Sequence, residues 1–314
     1  MKARMGVKII AGFCGVLLAG PGWADPHSSS DSRTVQSVKN SPDLSGLAWV
    51  EGDTFLAVHD AKNPEELDRP RVSLLKLPQS LDGIAWTTLS PSWPGPLGPS
   101  GDLESIARIP GTNSFLLVES GEGRQGVKRF NRVFLLKLTS GQPVLDSFAE
   151  LPDMFKNIEG SAVFRLGNRL VFFCAERGDH NPASEVYWSD LELNPLRFGS
   201  FRKTYFKPSF SGKNKRPVSA IEIDSSGRVY IASAYDPDDD NGPFNSVIWR
   251  AGRITADRDN VRLVFHASPL KLATLDGMKV ESLAIREANG RIELFAGTDD
   301  ENYGGALRPI SLAP

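Results

Sequence analysis

Three glutamates stand at the same place in three related stretches of the sequence: Glu104 in DLESIAR, Glu159 in NIEGSAV and Glu281 in KVESLAI. Carboxylates that point at one place repel each other, because two of them about 4 Å apart at an effective dielectric near 20 cost roughly 4 kcal/mol. Raised pKa values, a wider separation in water or a bound cation relieve that repulsion. Oxygen ligands without Cys or clustered His suit Ca²⁺ first and Mg²⁺ second. We therefore predict that these glutamates bind a metal ion, and the alternative is that each accepts hydrogen bonds from the backbone of a neighbouring repeat.

A second acidic stretch, DPDDDNG at residues 236–242, has carboxylates at alternating positions, as calcium-binding loops do. It predicts a structural calcium site that uses Asp236, Asp238 and Asp240. The stretch departs from an EF-hand loop because Asn241 stands where glycine is expected and no Glu closes it. A solvated acidic turn is therefore the alternative.

Charged residues also follow the second predicted strand of each repeat. His59 and Asp60 end one such strand, and either can act as a general base that takes a proton from water. A single histidine at the end of a strand is more often a surface hydrogen-bonding group, so that role is an alternative for His59. We predict His59 and Asp60 as the catalytic residues if the protein is an enzyme.

Basic residues lie near these acids in the sequence. Cations around an acidic centre suit a phosphorylated or carboxylated ligand, either directly or through a metal ion. The alternative is that these charges only keep the protein soluble. The predicted contacts to a small anionic ligand or ester substrate are Glu119, Arg124, Arg129, Glu176 and Arg177.

The stretches that carry these residues are copies of one repeat. Five copies begin about every 60 residues, at Asp43, Asp102, Asn157, Pro217 and Lys279. In each copy two apolar strands flank a turn that contains Gly or Asn, which indicates a β-hairpin. A third strand follows in every copy and a fourth in all but the last. The segment TVQSVK, which begins at Thr34, is expected to supply the missing strand.

Four-stranded units repeated around an axis, with the N-terminus completing the last one, predict an all-β fold, the five-bladed β-propeller. A six-bladed ring is the alternative. In a propeller the loops before the first strand and after the second strand of each blade open on one face, and the first strand is innermost. The candidate residues therefore share one face, with the glutamates nearest the axis.

The N-terminal 24 residues combine Lys2, Arg4 and Lys8 with a short apolar run and small residues before position 25, which is typical of a cleavable signal peptide. Residues 25–33 read as a disordered leader and residues 34–314 as a single propeller domain. We expect a periplasmic or secreted monomer without a membrane span. The net charge is −2, and removal of the three basic signal residues would make it −2 − 3 = −5. This charge gives no indication of nucleic-acid binding.

The segments SGLAW, ESIAR, IEGSA and VESLA, each followed by a strand that ends in an acid, resemble the exported bacterial propellers of the esterase-like phytase family and the SdiA-regulated periplasmic propellers. The resemblance implies a calcium-assisted phosphoesterase or esterase, or a binding protein with the same face. Glu104, Glu159 and Glu281 match the recurring motif, whereas Ser45 and Ser219 depart from it. Three functions stay open: a metal-dependent phosphoesterase or esterase, a non-catalytic ligand- or partner-binding propeller of the cell envelope, and a lactonase-like hydrolase.

Overall fold

The structure is a computed structural model that describes residues 43–61, 70–77, 85–94, 98, 100–121, 130–178, 181–257 and 260–311. The predicted signal peptide, the leader and the strand that begins at Thr34 lie outside these residues, so those predictions stay untested. Within the described residues, no helix is long and apolar enough to cross a lipid bilayer.

Twenty strands form five antiparallel sheets that follow the five sequence repeats. Blade 1 contains β1 (Gly46–Glu51), β2 (Thr54–Val58), β3 (Val72–Lys76) and β4 (Ala85–Leu89). Blade 2 contains β5 (Leu103–Arg108), β6 (Ser114–Glu119), β7 (Arg132–Thr139) and β8 (Gln142–Glu150). Blade 3 contains β9 (Ile158–Leu166), β10 (Arg169–Glu176), β11 (Ser184–Leu193), β12 (Leu196–Phe198) and β13 (Arg202–Phe206).

Blade 4 contains β14 (Lys215–Ile223), β15 (Arg228–Tyr235), β16 (Asn245–Asp257) and β17 (Asn260–Asp276). Blade 5 contains β18 (Val280–Ala288), β19 (Arg291–Thr298) and β20 (Leu307–Ile310), and a 3-10 turn (Glu301–Tyr303) precedes its last strand. Every blade contains the third strand that the repeat predicts. The fourth strand of blade 3 is divided into β12 and β13, which pair with different halves of β11.

The first strands of the five blades form a closed ring. β1 contacts β5, β5 contacts β9, β9 contacts β14, β14 contacts β18, and β18 contacts β1. Blade 5 joins blade 1 through hydrogen bonds from Leu44 N to Thr298 O (3.0 Å) and from Ser282 Oγ to Leu44 O (2.8 Å). The fold is the predicted five-bladed propeller, and the six-bladed alternative is wrong.

The hydrophobic core is divided among the interfaces between neighbouring blades. Five apolar clusters each combine residues of two adjacent sheets. Cys174, for example, is buried between blades 2 and 3 beside Phe155 and Phe172. Because each blade has apolar side chains on both faces, it is stable only between two neighbours, and this packing holds the inner strands around the axis.

Candidate ligand-binding site at the central axis

A β-bulge places the repeated glutamates at the axis. In blade 2, Leu103 pairs with Glu119 and Ser105 with Val118, so Glu104 is an extra residue without an opposite partner on β6. Glu159 and Glu281 occupy the same bulge position in blades 3 and 5. A bulge bends its strand and redirects a side chain, and bulges are common beside functional sites. All three glutamates are buried, with exposures of 2 to 6 %.

The glutamate carboxylates meet arginine side chains at the axis. Arg177 Nε donates a hydrogen bond of 2.7 Å to Glu159 Oε1. Burial lowers the pKa of Arg177, but the charges of Glu159, Glu104 and Glu281 outweigh it and raise the pKa well above its usual value. The three glutamates therefore act on one guanidinium, which confirms that the repeats are in register.

A second arginine links blades 4 and 5. Arg216 Nη1 lies 2.7 Å from Glu281 Oε1, and Arg216 Nη2 lies 2.6 Å from Asp236 Oδ2. Burial and the nearby Arg177 lower the pKa of Arg216, but the carboxylates, first that of Glu281, raise it above its usual value overall. The two guanidinium groups are neighbours, and their side chains keep 16 % and 13 % of their surface exposed. They are thus accessible to a ligand from the open face.

Lys279 is the third cation and is nearly fully buried. Its Nζ lies 2.9 Å from Asp299 Oδ2, 3.5 Å from Glu281 Oε1 and 3.6 Å from Asp236 Oδ2, and it also contacts Glu301. Burial would lower the pKa of Lys279, but Glu281 and Asp299 raise it further than burial lowers it. The ammonium group therefore stays charged and forms ion pairs with carboxylates of blades 4 and 5.

Two aspartates form a pair where blades 5 and 1 meet. The side chains of Asp43 and Asp299 are hydrogen-bonded to each other, and burial, the largest cause, raises the pKa of both. Two carboxyl groups in hydrogen-bond contact share a proton, because both cannot be ionised at that distance. Burial thus favours the protonated form of both Asp43 and Asp299 over the form each has in water.

These residues together form what we call the axial mouth. The described residues contribute more acids than cations to it. Its carboxyl groups are Asp43, Glu104, Glu159, Asp236, Glu281, Asp299, Asp300 and Glu301, and its cations are Arg177, Arg216 and Lys279.

The excess of negative charge is relieved partly by protons. Burial raises the pKa of Glu159 to about 7, and the charges of Glu104 and Glu281 add to the effect while Arg177 and Arg216 oppose it.

Below the mouth the axis is nearly closed. A space of about 10 Å³ is left between the five inner strands, and Ser105 Oγ and Ser161 Oγ are hydrogen-bonded at 2.7 Å. Among the described residues, this narrow space leaves a ligand no passage along the axis, so access to the mouth is from the open face.

The predicted general bases lie beside the mouth, with different exposures. His59 is 2 % exposed, its Nδ1 is 2.6 Å from Asp43 O and its Nε2 is 3.0 Å from Ser73 Oγ. Burial lowers the pKa of His59 to about 4. Asp60 is partly exposed and forms a β-bridge with Asp102. Both ring nitrogens of His59 are occupied by hydrogen bonds within blade 1, so neither is free to take a proton from water. The geometry therefore gives no support to catalysis by His59.

Of the three predicted ligand contacts that the structure describes, Arg177 lies in the axial mouth, whereas Glu119 and Glu176 lie elsewhere. Glu119 is buried in a two-pronged salt bridge with Arg132, with contacts of 2.6 and 2.8 Å. Glu176 accepts a hydrogen bond from Lys156 N at 3.0 Å, and burial raises its pKa. Arg124 and Arg129 lie outside the described residues.

Two of the glutamates predicted to bind a metal ion, Glu159 and Glu281, are paired with arginine side chains. The oxygens of Glu159 and Glu281 that face the axis accept hydrogen bonds from Arg177 and Arg216, so a Ca²⁺ there would lie against two positive charges. Among the described residues, no three His, Cys, Asp or Glu side chains are arranged around one point as metal ligands. As arranged, the residues do not fit the ion, and calcium stays a prediction.

Calcium binding by the acidic loop, residues 236–242, also stays a prediction. Asp236 belongs to the axial mouth, whereas Asp238 and Asp240 are exposed to solvent. Asp236 Oδ1 accepts a hydrogen bond of 3.0 Å from Asp238 N, and Asp240 O accepts one of 3.4 Å from Asn302 N. The loop is thus tied to the mouth by its first residue and to blade 5 by its backbone.

Sequence reasoning missed most of the cations and the aspartate pair. Arg216 is not among the predicted ligand contacts, and Lys279 is predicted only as the start of the fifth repeat. The position of Lys279 carried a signal, because Asp43 starts the first repeat at the same place. A lysine where other copies have acids indicates a local charge partner.

Comparison with known proteins shows the fold alone. No family model matches the sequence, and no curated protein sequence matches it. The solved structures that it resembles include an exo-1,5-alpha-L-arabinanase from a bovine ruminal metagenomic library (13 % identity, 87 % of this chain, 94 % of the other, TM-score 0.50). A mutant of the Cellvibrio cellulosa alpha-L-arabinanase is similar too (12 % identity, 87 % and 92 % coverage, TM-score 0.50).

Proposed function

We propose that the chain is a ligand-binding propeller and that the axial mouth is its binding site. The observation that carries the proposal is the convergence of Arg177, Arg216 and Lys279 with carboxyl groups from blades 1 to 5 at one end of the axis. Such a fixed array presents hydrogen-bond donors beside acceptors without side-chain rearrangement. Preorganised polar groups of this kind give orientation and specificity to a bound ligand.

The charge balance favours one class of ligand. Because carboxyl groups outnumber cations in the described part of the mouth, a ligand that donates hydrogen bonds from hydroxyl or amino groups fits better than an anion. An anionic ligand or a phosphate ester would depend on the basic residues Arg124 and Arg129, which lie outside the described residues. Neutral polyhydroxylated compounds are therefore the first class to test, and phosphate esters and lactones the second.

The proposal is tested by calorimetric titration of the purified protein with a panel of methyl pyranosides, sorbitol, amino sugars, phosphate esters and lactones, each with and without added Ca²⁺. Arg216→Gln removes a charged donor from the mouth and should weaken binding about 10-fold, since a hydrogen bond to a charged group contributes about 1.5 to 3 kcal/mol.

Arg228→Gln is the matched control, because Arg228 pairs with Asp224 at 2.6 Å in the hairpin between β14 and β15 on the opposite face. This control should bind like the wild type. The proposal is wrong if no member of the panel binds, or if Arg216→Gln binds the ligand as tightly as the control. Binding that requires Ca²⁺ would instead support the metal prediction for the glutamates.

A second candidate function, hydrolysis of the bound ligand, is favoured by the pair Asp43 and Asp299. In this mechanism the carboxylate takes a proton from water, the water oxygen bonds to the carbon under attack, and the protonated partner gives its proton to the leaving oxygen as the C–O bond breaks. Asp299→Asn should then abolish turnover of an ester while the ligand still binds. Turnover that survives Asp299→Asn would refute this role, and binding without turnover by the wild type leaves the chain a binding protein.

A further inference from the structure

Blade 5 presents one strongly exposed aromatic side chain in the loop that borders the axial mouth. Tyr303 is 61 % exposed and ends the 3-10 turn Glu301–Tyr303. The turn follows Asp299 and Asp300, which both contact Lys279 in the mouth. The loop that carries Tyr303 is therefore part of the rim.

The turn is held in place from two sides. The Glu301 carboxylate contacts the buried Lys279, and Asn302 Nδ2 donates a hydrogen bond of 3.2 Å to Asn241 Oδ1 in the acidic loop of blade 4. Hydrogen bonds from Tyr303 N to Asp300 O (3.0 Å) and from Gly304 N to Glu301 O (2.9 Å) close the turn. The rim is thus anchored to the mouth and to the neighbouring blade.

Glu301 adopts a backbone conformation that a residue with a side chain rarely takes, with φ of +50°. Such a conformation costs about 1 to 2 kcal/mol and persists only where the surroundings enforce it. The contact of Glu301 with Lys279 supplies that enforcement. The strained residue lies two positions before Tyr303, where the chain leaves the mouth.

Tyr303 differs from the other strongly exposed tyrosine. Tyr205 is 55 % exposed on β13, but its hydroxyl donates a hydrogen bond of 2.9 Å to Glu185, and Lys203 Nζ lies 5.6 Å from its ring centre. Within the described residues, the Tyr303 side chain has no hydrogen bond, ring contact or cation over its face. A tyrosine ring is a large, rigid contact surface with a polar end, which suits it to binding.

We propose that Tyr303 is a ligand contact and that the ligand of the axial mouth has a flat apolar face. This inference rests on the proposed function and narrows it. The tyrosine ring covers one face of a ring-shaped ligand, such as a sugar ring, while the hydroxyl groups at its edge donate to the carboxylates of the mouth. An open-chain polyol offers the same hydroxyl groups but no flat face. The site should therefore prefer the cyclic compound.

The experiment compares methyl pyranosides with sorbitol by calorimetric titration of the full chain. Tyr303→Ala should weaken pyranoside binding about fivefold and leave sorbitol binding unchanged, as expected for loss of one aromatic contact. Tyr303→Phe should bind like the wild type, because the ring and not the hydroxyl makes the contact. Tyr205→Ala is the control for loss of an exposed tyrosine and should also bind like the wild type.

The outcomes separate the two proposals. If the wild type binds a pyranoside and Tyr303→Ala binds it equally well, the tyrosine contact is wrong and the axial site stands. If Tyr303→Ala weakens sorbitol and pyranoside alike, the inference of a flat ligand face is overturned. If the wild type binds neither compound, the tyrosine inference fails, and the axial site then depends on whether another member of the panel binds. Thermal unfolding of each variant shows that it is folded, which the exposure of both tyrosines leads us to expect.

Discussion

Replacement of Lys279 by methionine is the most informative perturbation of the axial mouth. The methionine side chain is one atom shorter and keeps an apolar stem, but it lacks the ammonium group that lies 2.9 Å from Asp299, 3.5 Å from Glu281 and 3.6 Å from Asp236. At an effective dielectric near 20, each of these attractions is worth roughly 5 kcal/mol. The attractions are partly offset in the native protein by the several kcal/mol that burial of the charge costs. Removal of one partner from a buried cluster therefore costs about 3 to 5 kcal/mol.

The stability that Lys279→Met loses should also depend on pH. The pKa of Lys279 is raised in the folded protein, so its stabilising effect is complete below the unfolded value near 10.4 and is constant from pH 5 to 8. In the variant the carboxyl groups left behind bind protons more tightly than they do in the unfolded chain. Their protonation at low pH relieves the repulsion, so the deficit of Lys279→Met should be larger at pH 8 than at pH 5.

Urea unfolding at pH 5 and pH 8 measures this difference. At neutral pH the midpoint of thermal unfolding should also fall by roughly 5 to 9 °C, the shift expected for such a loss in a domain of this size. Lys137→Met is the control, because Lys137 forms an exposed ion pair with Asp146 at 3.0 Å and such pairs contribute about 0 to 1 kcal/mol. A Lys279→Met protein as stable as the control at both pH values would refute the buried charge network.

Three further predictions concern Glu159 and Gly160 on an inner strand and Glu119 on the second strand of blade 2. Burial raises the pKa of Glu159 from 4.5 to about 7, so the free energy of unfolding should fall by roughly 3 kcal/mol as pH rises through that window, and urea titrations of Glu159→Gln should lack this change. Glu119→Gln should cost about 3 to 5 kcal/mol in urea unfolding by leaving Arg132 buried without its charge partner, yet ligand binding at the mouth should be unchanged. Gly160→Ala should cost about 1 to 3 kcal/mol by the same assay, because the added carbon would lie 2.7 Å from Ile221 N; wild-type stability would show that the inner strands can separate.

The sequence was sufficient to predict the ring and the place of the glutamates. The repeat predicted the five blades, and the position of the glutamates at the start of the innermost strands predicted that they lie near the axis, although the β-bulge that directs their side chains was not predicted. A residue of small volume also follows the glutamate position in every copy, and the structure shows why, since the inner strands approach closely there. These residues are Gly46, Ser105, Gly160, Ala220 and Ser282.

The partners of those glutamates could not be predicted from the pattern. Arg177 follows the second strand of blade 3, whereas Arg216 enters from the first strand of blade 4, so the two cations occupy different positions in their repeats. Which charges meet depends on how far each side chain extends across a blade boundary. The burial of His59 depended likewise on Ser73 in a third strand, a contact that no local spacing indicates.

Hydrogen–deuterium exchange with the tightest-binding member of the ligand panel tests the central claim most directly. If the ligand binds the axial mouth, it should slow exchange in the segments that lead into all five inner strands at once, near Leu44, Glu104, Glu159, Ser219 and Glu281. Arg216→Gln should remove this protection. Protection confined to the outer strands of one or two blades, with the five inner segments unchanged, would contradict a ligand site at the axis.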